Sequence, residues 1–189
     1  MMNRTRIEGF IYLAAFIACV PAANWLIGNV GSVCIPKGPC LIPVAPGPNG
    51  AITAPSGVLM IGAALVLRDL VQRRLGKGWS VVAIALGAAL SAFIAPPALV
   101  IASMMAFLLS ELADFAVYTP LQRRGLVRAV LLSSLAGLAV DSVVFLYLAF
   151  GSLDYLAGQI IGKAWMVLLS LPLMQWLRKR DERLGLLPA

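Results

Sequence analysis

The chain has 189 residues, of which 61% are hydrophobic and 12% are charged, and its mean hydropathy is +0.93. Soluble domains are about half apolar and about a quarter charged, so this composition excludes an ordinary soluble domain and indicates one membrane domain over residues 1–189. The formal net charge of +7 does not indicate nucleic-acid binding, because the basic residues fall in short runs between apolar segments.

Six segments have the roughly 20 mainly apolar residues that a membrane-spanning helix needs. The first covers residues 7–27, which is too long for the core of a signal peptide and lacks a clear cleavage site. A long connection over residues 28–55 follows. The other segments lie at about 56–73, 79–95, 97–118, 127–150 and 155–177. The predicted fold class is therefore an all-α integral membrane protein with six transmembrane helices.

The basic residues alternate between the two sides of the membrane under this helix count. One side holds every basic cluster, whereas the connections on the other side hold only Lys37. By the positive-inside rule, this asymmetry predicts that both termini are cytoplasmic. The basic residues on the predicted cytoplasmic side are Arg4, Arg6, Arg73, Arg74, Lys77, Arg123, Arg124, Arg128, Arg178, Lys179, Arg180 and Arg183.

The external connection, residues 28–55, is rich in Gly and Pro and contains two of the three cysteines. Cys34 and Cys40 either form a disulfide in an oxidising compartment or remain free thiols in a constrained turn. A connection of this length often acts as a lid. Cys19 is expected to be a small buried hydrophobe in the first helix. The chain has no His and no Cys/His cluster, so its residues indicate neither a metal site nor a cofactor.

A ladder of small residues runs along the first helix at Ala14, Ala18 and Ala22. Small residues spaced by four let another helix approach closely. Packing inside the bundle is the favoured interpretation. The alternative is a docking face for an energising module or for a second copy of the chain.

Asp141 and Lys163 are charged residues in the middle of predicted spans. Asp141 lies nine residues from the external end of the fifth helix, and Lys163 lies eight residues from that of the sixth. Both are thus roughly 12–14 Å below the outer boundary of a core about 30 Å thick. An ion pair, or a shared ligand, is predicted. Gln159 precedes Lys163 by one turn and lies on the same face.

A second set of charged residues lies nearer the cytoplasmic ends of two helices. Glu111, Asp114 and Tyr118 share one face of the fourth helix, because they are three and four residues apart. Arg68 and Asp69 lie at similar depth on the second helix. Arg68 is expected to neutralise a carboxylate of the fourth helix, and Asp69 to have different partners because adjacent helical residues point about 100° apart.

Four acids and two bases occupy these spans. Two carboxylates thus have no evident cationic partner. Three states remain open for them: protonation, pairing with an arginine at the cytoplasmic end such as Arg73, or binding a cationic or donor-rich ligand. A purely structural role in clamping the helices is the alternative to function, and it is least favoured for Asp141 and Lys163 at mid-membrane.

The residues disfavour an intramembrane enzyme. A histidine-dependent mechanism has no histidine, and the zinc-protease, aspartyl-protease and phosphatidyl-alcohol-transferase motifs are absent. A carrier fits better, with a few polar groups among apolar and aromatic walls. Gln159 and Asn24 offer both donors and acceptors, and Phe107, Tyr118 or Trp165 would stack on a planar ring. A non-transporting membrane scaffold is the remaining alternative.

Four ordered motifs resemble the vitamin-uptake-transporter-like family. They are "SGVLMIGAALVLRDLVQRRLG" (56–76), "SELADFAVYTPLQ" (110–122), "AVDSVVFLYLAF" (139–150) and "GQIIGKAWM" (158–166). The resemblance implies a six-helix importer of queuosine precursors in the bacterial inner membrane. It also implies a fold similar to the S components of energy-coupling-factor transporters, and a 7-cyano- or 7-aminomethyl-7-deazaguanine cargo.

The same resemblance implies a set of substrate-binding residues. It predicts a pocket formed mainly by the fourth, fifth and sixth helices and gated by the external connection, with another vitamin or nucleobase as the alternative cargo. No nucleotide-binding motif is present, so an ion gradient, a separate module or trapping of the imported base would drive uptake. The residues implied by the motifs are Arg68, Asp69, Glu111, Asp114, Asp141, Gln159 and Lys163.

Overall fold

The computed structural model describes residues 2–36, 38–48, 50–95 and 97–186. Lys37 lies outside the described residues, so its predicted external position is not addressed. Six long α-helices occur in the described part of the chain, and a short 3₁₀ turn, Pro97–Leu99, precedes the fourth. Their bounds are α1 Met2–Asn29, α2 Val58–Leu75, α3 Lys77–Ile94, α4 Val100–Leu121, α5 Leu126–Phe150 and α6 Leu156–Leu184.

Five of these helices are long and apolar enough to cross a membrane, namely α1 from Arg4 onward, α3, α4, α5 and α6. The chain is thus a multi-pass membrane protein. Helix α2 is not among the five, because its 18 residues include Arg68, Asp69, Arg73 and Arg74. These four side chains are nevertheless buried, since α2 packs against α1, α3, α5 and α6. Helix α2 is therefore an interior element of the bundle.

The chain is mainly helical, as the all-α prediction expects, but the connection between α1 and α2 contains a small antiparallel sheet that was not predicted. Its strands are β1 Val33–Cys34, β2 Cys40–Gly47 and β3 Gly50–Pro55, in the order β1-β2-β3. The prolines of β2 argued against a strand because proline donates no ladder hydrogen bond. An irregularity between Pro43 and Ala45 accommodates that missing donor.

A disulfide joins Cys34 and Cys40 and closes the turn between β1 and β2. The two residues are cross-strand partners in the sheet. Cys19 is buried and free, in a core that also contains Phe16 and Val20 of α1.

Helix α1 turns this Phe16 face toward the bundle and leaves the alanine ladder outside. Ala14 and Ala18 are exposed and Ala22 is only half-buried. The favoured prediction that the ladder packs inside the bundle is therefore wrong for Ala14 and Ala18. Larger side chains on the opposite face bury more apolar area, which sets the rotation of the helix.

The sheet packs directly against α6. Val44 and Ala54 form a small core with Val58 of α2, and the indole nitrogen of Trp165 donates to the Val44 carbonyl at 2.8 Å. Gly158 permits this approach, since a Cβ there would lie 2.0 Å from the Thr53 carbonyl oxygen. Two strands thus lie against the part of α6 that carries the polar residues described below.

Replacing Gly158 by alanine is expected to lower the free energy of unfolding by about 1–3 kcal/mol, because the added methyl group forces α6 and β3 apart. Thermal unfolding of the purified protein in detergent measures the change. Gly28→Ala is the matched control: it is also a helical glycine, but a Cβ there meets nothing within 4 Å. Equal stability of the two variants would contradict the close packing of the sheet.

Candidate functional site

A cavity that is partly open to its surroundings lies within the bundle beside the sheet, and the empty space in it and in front of it, open solvent included, is about 700 Å³. Its walls come from all six helices and from β3, so the predicted pocket of mainly α4, α5 and α6 is too narrow a description. Apolar residues dominate the walls, as is usual for small-molecule sites. Its polar lining residues are Asn24, Ser91, Ser103, Asp141, Gln159 and Lys163.

Lys163 is the centre of the polar wall and is almost fully buried. Its Nζ donates to Asp141 Oδ2 at 2.6 Å, to Ser142 Oγ at 2.8 Å and to Gln159 Oε1. An ammonium group has three N–H donors, so these acceptors use all of them. The ion pair between Asp141 and Lys163, predicted from their equal depth, is present. Lys163 has no donor left for a ligand in this arrangement.

The hydrogen bonds of Lys163 determine which atoms of the neighbouring side chains remain available to bind a ligand. Since Gln159 accepts through Oε1, its amide nitrogen is free to donate into the cavity. Asp141 uses Oδ2 for Lys163, which leaves Oδ1 as an acceptor. Asn24 donates from Nδ2 to the Val20 carbonyl, which leaves Oδ1 as an acceptor. The wall thus offers a ligand amide donors of Gln159 and Asn24, acceptors at Asp141 Oδ1 and Asn24 Oδ1, and the hydroxyl groups of Ser91 and Ser103.

Glycine again allows a close helix approach at this site. A Cβ on Gly62 of α2 would lie 2.5 Å from the Lys163 carbonyl oxygen. The backbones of α2 and α6 therefore nearly touch at the level of Lys163. This contact holds the buried ammonium group at a defined height in the bundle.

Two phenylalanines provide the aromatic part of the wall, Phe107 of α4 and Phe145 of α5. Phe107 packs against Phe16, with ring centroids 5.9 Å apart. Phe145 was not among the predicted residues, because nothing in its spacing separates it from the other apolar residues of α5. Tyr118 and Trp165, the other predicted stacking residues, lie outside the cavity: Tyr118 is fully buried elsewhere, and Trp165 packs against the sheet.

Arg68 is the centre of a second polar cluster, which does not line the cavity. Its Nη2 contacts both Asp69 Oδ1 and Asp114 Oδ1, and its Nε lies 3.4 Å from Glu111 Oε2. All four side chains are at most 2% exposed. Arg68 binds acids of α4 and Asp69 binds Ser133 of α5, as predicted from their different directions, but the two residues also contact each other, which was not predicted. The long arginine side chain reaches back to its neighbour while also binding α4.

Polar side chains from three helices surround this Arg68 cluster. The Ser133 hydroxyl of α5 donates to Asp69 Oδ2 at 2.8 Å. Arg68 Nη1 donates to Gln72 Oε1 at 2.9 Å, and Gln72 in turn donates to Thr119 of α4 at 3.0 Å. The Arg68 guanidinium lies over the Tyr118 ring, 5.5 Å from its centroid. These contacts join α2, α4 and α5.

A third network closes the end of the bundle at which α1 begins. Asp181 of α6 accepts from Arg73 at 2.9 Å and from Arg74 at 2.8 Å. Glu8 of α1 accepts both guanidinium N–H groups of Arg180, at 2.9 and 2.6 Å. Arg73 therefore pairs with α6 and not with the acids of α4. Sequence reasoning missed Glu8 and Asp181, because acids beside basic runs resemble a solvated helix end.

The structure thus divides the predicted site residues into two groups. Asn24, Phe107, Asp141, Gln159 and Lys163 line the cavity. Ser91 and Ser103 line it as well and were not predicted, although a serine inside an apolar span is a detectable signal. The predicted residues that do not line the cavity are Arg68, Asp69, Glu111, Asp114, Tyr118 and Trp165.

Apolar helices around buried ion pairs, with a cavity of mixed polar and apolar lining, define a multi-pass membrane protein with an internal cavity. Residues 91–179 match a family model described as "Putative vitamin uptake transporter", which confirms the predicted family resemblance. That family points to a membrane transporter of a vitamin-like substrate and is not a class of enzymes. No curated protein and no solved structure gives a significant match to the chain.

Breaking the pair in the cavity wall is expected to destabilise the protein strongly. Lys163→Met or Asp141→Leu alone leaves one buried charge unpaired and lowers the free energy of unfolding by about 3 kcal/mol or more. The double variant is expected to lose less free energy of unfolding than the two single variants lose together, because it contains no unpaired buried charge. Thermal unfolding in detergent measures all three.

Arg178→Ala is the control for that experiment, since Arg178 pairs with Glu182 at an exposed position. Its loss is expected to change stability by less than about 1 kcal/mol. Additive effects of the Lys163 and Asp141 changes would contradict a buried ion pair.

Proposed function

We propose that this protein imports a queuosine precursor, 7-cyano- or 7-aminomethyl-7-deazaguanine, across the bacterial inner membrane. The observation that carries the proposal is the cavity itself, in which Asp141, Gln159 and Asn24 present free hydrogen-bonding atoms among apolar walls. The family match to vitamin uptake transporters supports a vitamin-like cargo.

The cavity atoms suit the edge and the faces of a guanine-like heterocycle. A carboxylate oxygen accepts N–H groups, so Asp141 Oδ1 would bind the amino and ring N–H side of the cargo. The Gln159 amide would donate to its carbonyl, and Asn24 Oδ1 would accept a further N–H group. Phe107 and Phe145 would pack against the ring. Lys163 neutralises Asp141 and orients Gln159, so its role is positioning.

Six membrane spans with both termini in the cytoplasm are part of the same proposal. Helix α2 would be the sixth span, because its charged residues are paired inside the bundle and need not face lipid. The contacts of Glu8, Arg74 and Asp181 join the start of α1 to the ends of α2 and α6, in agreement with antiparallel helices. The arginine-rich ends would then lie on the cytoplasmic side.

The cavity would open to the external side in this orientation, next to the sheet. Pro55 of β3 and Leu99 at the start of α4 belong to its wall. The sheet would act as the predicted lid at the entrance. The Arg68 cluster and the Asp181 network would close the bundle on the cytoplasmic side, and under this proposal the cavity would be open to the outside.

A carrier for a different vitamin or nucleobase is the second candidate. The free donor and acceptors of the cavity would also bind another flat heterocycle with N–H and carbonyl groups, which favours this candidate over a scaffold. A fold similar to energy-coupling-factor S components would allow an external module to drive uptake. The exposed Ala14 and Ala18 of α1 leave room for such a module or for a second copy.

Uptake of labelled 7-deazaguanines into cells that cannot make them tests the proposal. Wild type is expected to restore uptake, and Gln159→Leu to reduce it about tenfold or more, because a lost hydrogen bond to a buried group costs about 1–3 kcal/mol. Gln175→Leu, on the exposed face of the same helix, is the matched control and should behave as wild type.

The two candidates separate in a competition assay in the same cells. If wild type takes up another vitamin or nucleobase and no 7-deazaguanine, the cargo assignment is wrong. If Gln159→Leu, present in the membrane at the wild-type level, transports at the wild-type rate, the site assignment is wrong.

A further inference from the structure

The Arg68 cluster carries more negative than positive charge, and cargo binding in the cavity does not use it. Asp69, Glu111 and Asp114 face one guanidinium, so the fully ionised cluster would have a net charge of −2 in the interior of the bundle. Uncompensated charge in such surroundings is strongly unfavourable. The excess requires a counter-ion or a proton.

Buried oxygens that accept no hydrogen bond show where an additional hydrogen atom would fit. Among the described residues, Glu111 Oε2 and Asp114 Oδ2 are buried and accept none, although Glu111 Oε2 lies 3.4 Å from Arg68 Nε. Asp69 Oδ1 and Asp114 Oδ1 both contact the same nitrogen, Arg68 Nη2, which brings two carboxylates of different helices close together. A proton on one of them removes a unit of charge and supplies the donor that is missing.

Among the described residues, the groups around the cluster supply no second cation. Helix α1 faces it with Cys19, near Glu111, and α5 faces it with Ser133. Lys163 of α6 is paired with Asp141, and Arg73 and Arg74 are paired with Asp181. Helix α3 has one charged residue, Lys77, at its first position. The remaining polar groups of α2 and α4 at the cluster are Gln72, Tyr118 and Thr119.

Two helix faces run from the cavity to the cluster. On α4, Ser103 and Phe107 line the cavity and Glu111 follows one turn later on the same face, about 6 Å further along the helix. On α5, Ser134 lies two turns from Asp141 on the same face, and its buried hydroxyl has no partner among the described residues. Ser133, beside it, bonds to Asp69.

We propose that the Arg68 cluster is a proton-binding site that couples cargo movement to a proton gradient. The coupling rests on the proposed transport function, whereas proton binding does not. One proton from water on the cavity side binds a carboxylate oxygen, with Glu111 the first to be reached, and is released to water on the other side. The guanidinium occupies the space between the carboxylates where a metal cation would lie, which favours a proton as the bound ion.

Infrared spectroscopy of the purified protein tests proton binding without any cargo. Wild type is expected to show the carbonyl stretch of a buried protonated carboxyl group, with an intensity that falls as the pH is raised between about 5 and 8. The band should be reduced or lost in at least one of Asp69→Asn, Glu111→Gln and Asp114→Asn. It should remain in Asp154→Asn, the control at an exposed position.

Absence of the band in wild type, or a band that stays constant over this pH range, would overturn the proposal. A constant band would mean a permanently protonated structural group. Because the wild-type titration decides this, the test does not depend on whether the variants fold.

Uptake into proteoliposomes with an imposed pH gradient tests the coupling, with labelled 7-cyano-7-deazaguanine as the cargo. Transport of one proton per cargo molecule predicts that the accumulation ratio rises about tenfold per pH unit of gradient. Glu111→Gln should lose this dependence and Asp154→Asn should keep it. Uptake by wild type that ignores the gradient would refute the coupling and leave the transport function standing. If wild type neither takes up nor exchanges the cargo, the transport function fails, and the infrared titration still decides the proton site.

Discussion

An ionised side chain inside a membrane protein loses its hydration and must recover that free energy from neighbouring groups. This constraint organises the whole bundle. Arg68 and Lys163 are almost fully buried, and each binds acceptors of its own helix and of one neighbouring helix. Helix α2, whose four charged residues are all buried, consequently lies in the interior. The acids that these two cations bind join α2 to α4 and α6 to α5.

The two buried cations differ in how completely they are neutralised. Lys163 has one carboxylate and two neutral acceptors, which match its three N–H groups. Arg68 has three carboxylates, which exceed its charge. The first arrangement is balanced and forms a fixed wall with atoms to spare for a ligand. At Arg68 the carboxylates outnumber the positive charge. Such an excess is expected of a cluster that binds and releases a proton during a transport cycle.

Close backbone contacts determine where the cavity forms. Gly62 brings α2 against α6 at Lys163, and Gly158 brings α6 against β3 one turn before it. Phe107 fills the space beside Gly87, where a Cβ would lie 2.4 Å from the ring. The cavity remains open between these contacts because Ser91, Ser103 and Asn24 are too short to fill it.

Much of the bundle could be predicted from the sequence, because the hydrophobic lengths and the basic clusters mark the helices and their ends. Equal depth was sufficient to predict the Asp141–Lys163 pair. Depth alone does not give the rotation of a helix about its axis, so Glu111 could not be separated from Asp141 as a cavity residue. The reach of Arg68 back to Asp69 depends on side-chain torsions that spacing does not determine. The sheet was missed because its prolines resemble those of an irregular loop.

The central claim is that the cavity beside Lys163 binds the cargo. An experimental structure of the protein determined in the presence of 7-cyano-7-deazaguanine tests it most directly. The cargo is expected between Phe107 and Phe145, within hydrogen-bond distance of Asp141 Oδ1 and the Gln159 amide nitrogen. A cargo molecule bound elsewhere, with this cavity empty, would contradict the claim.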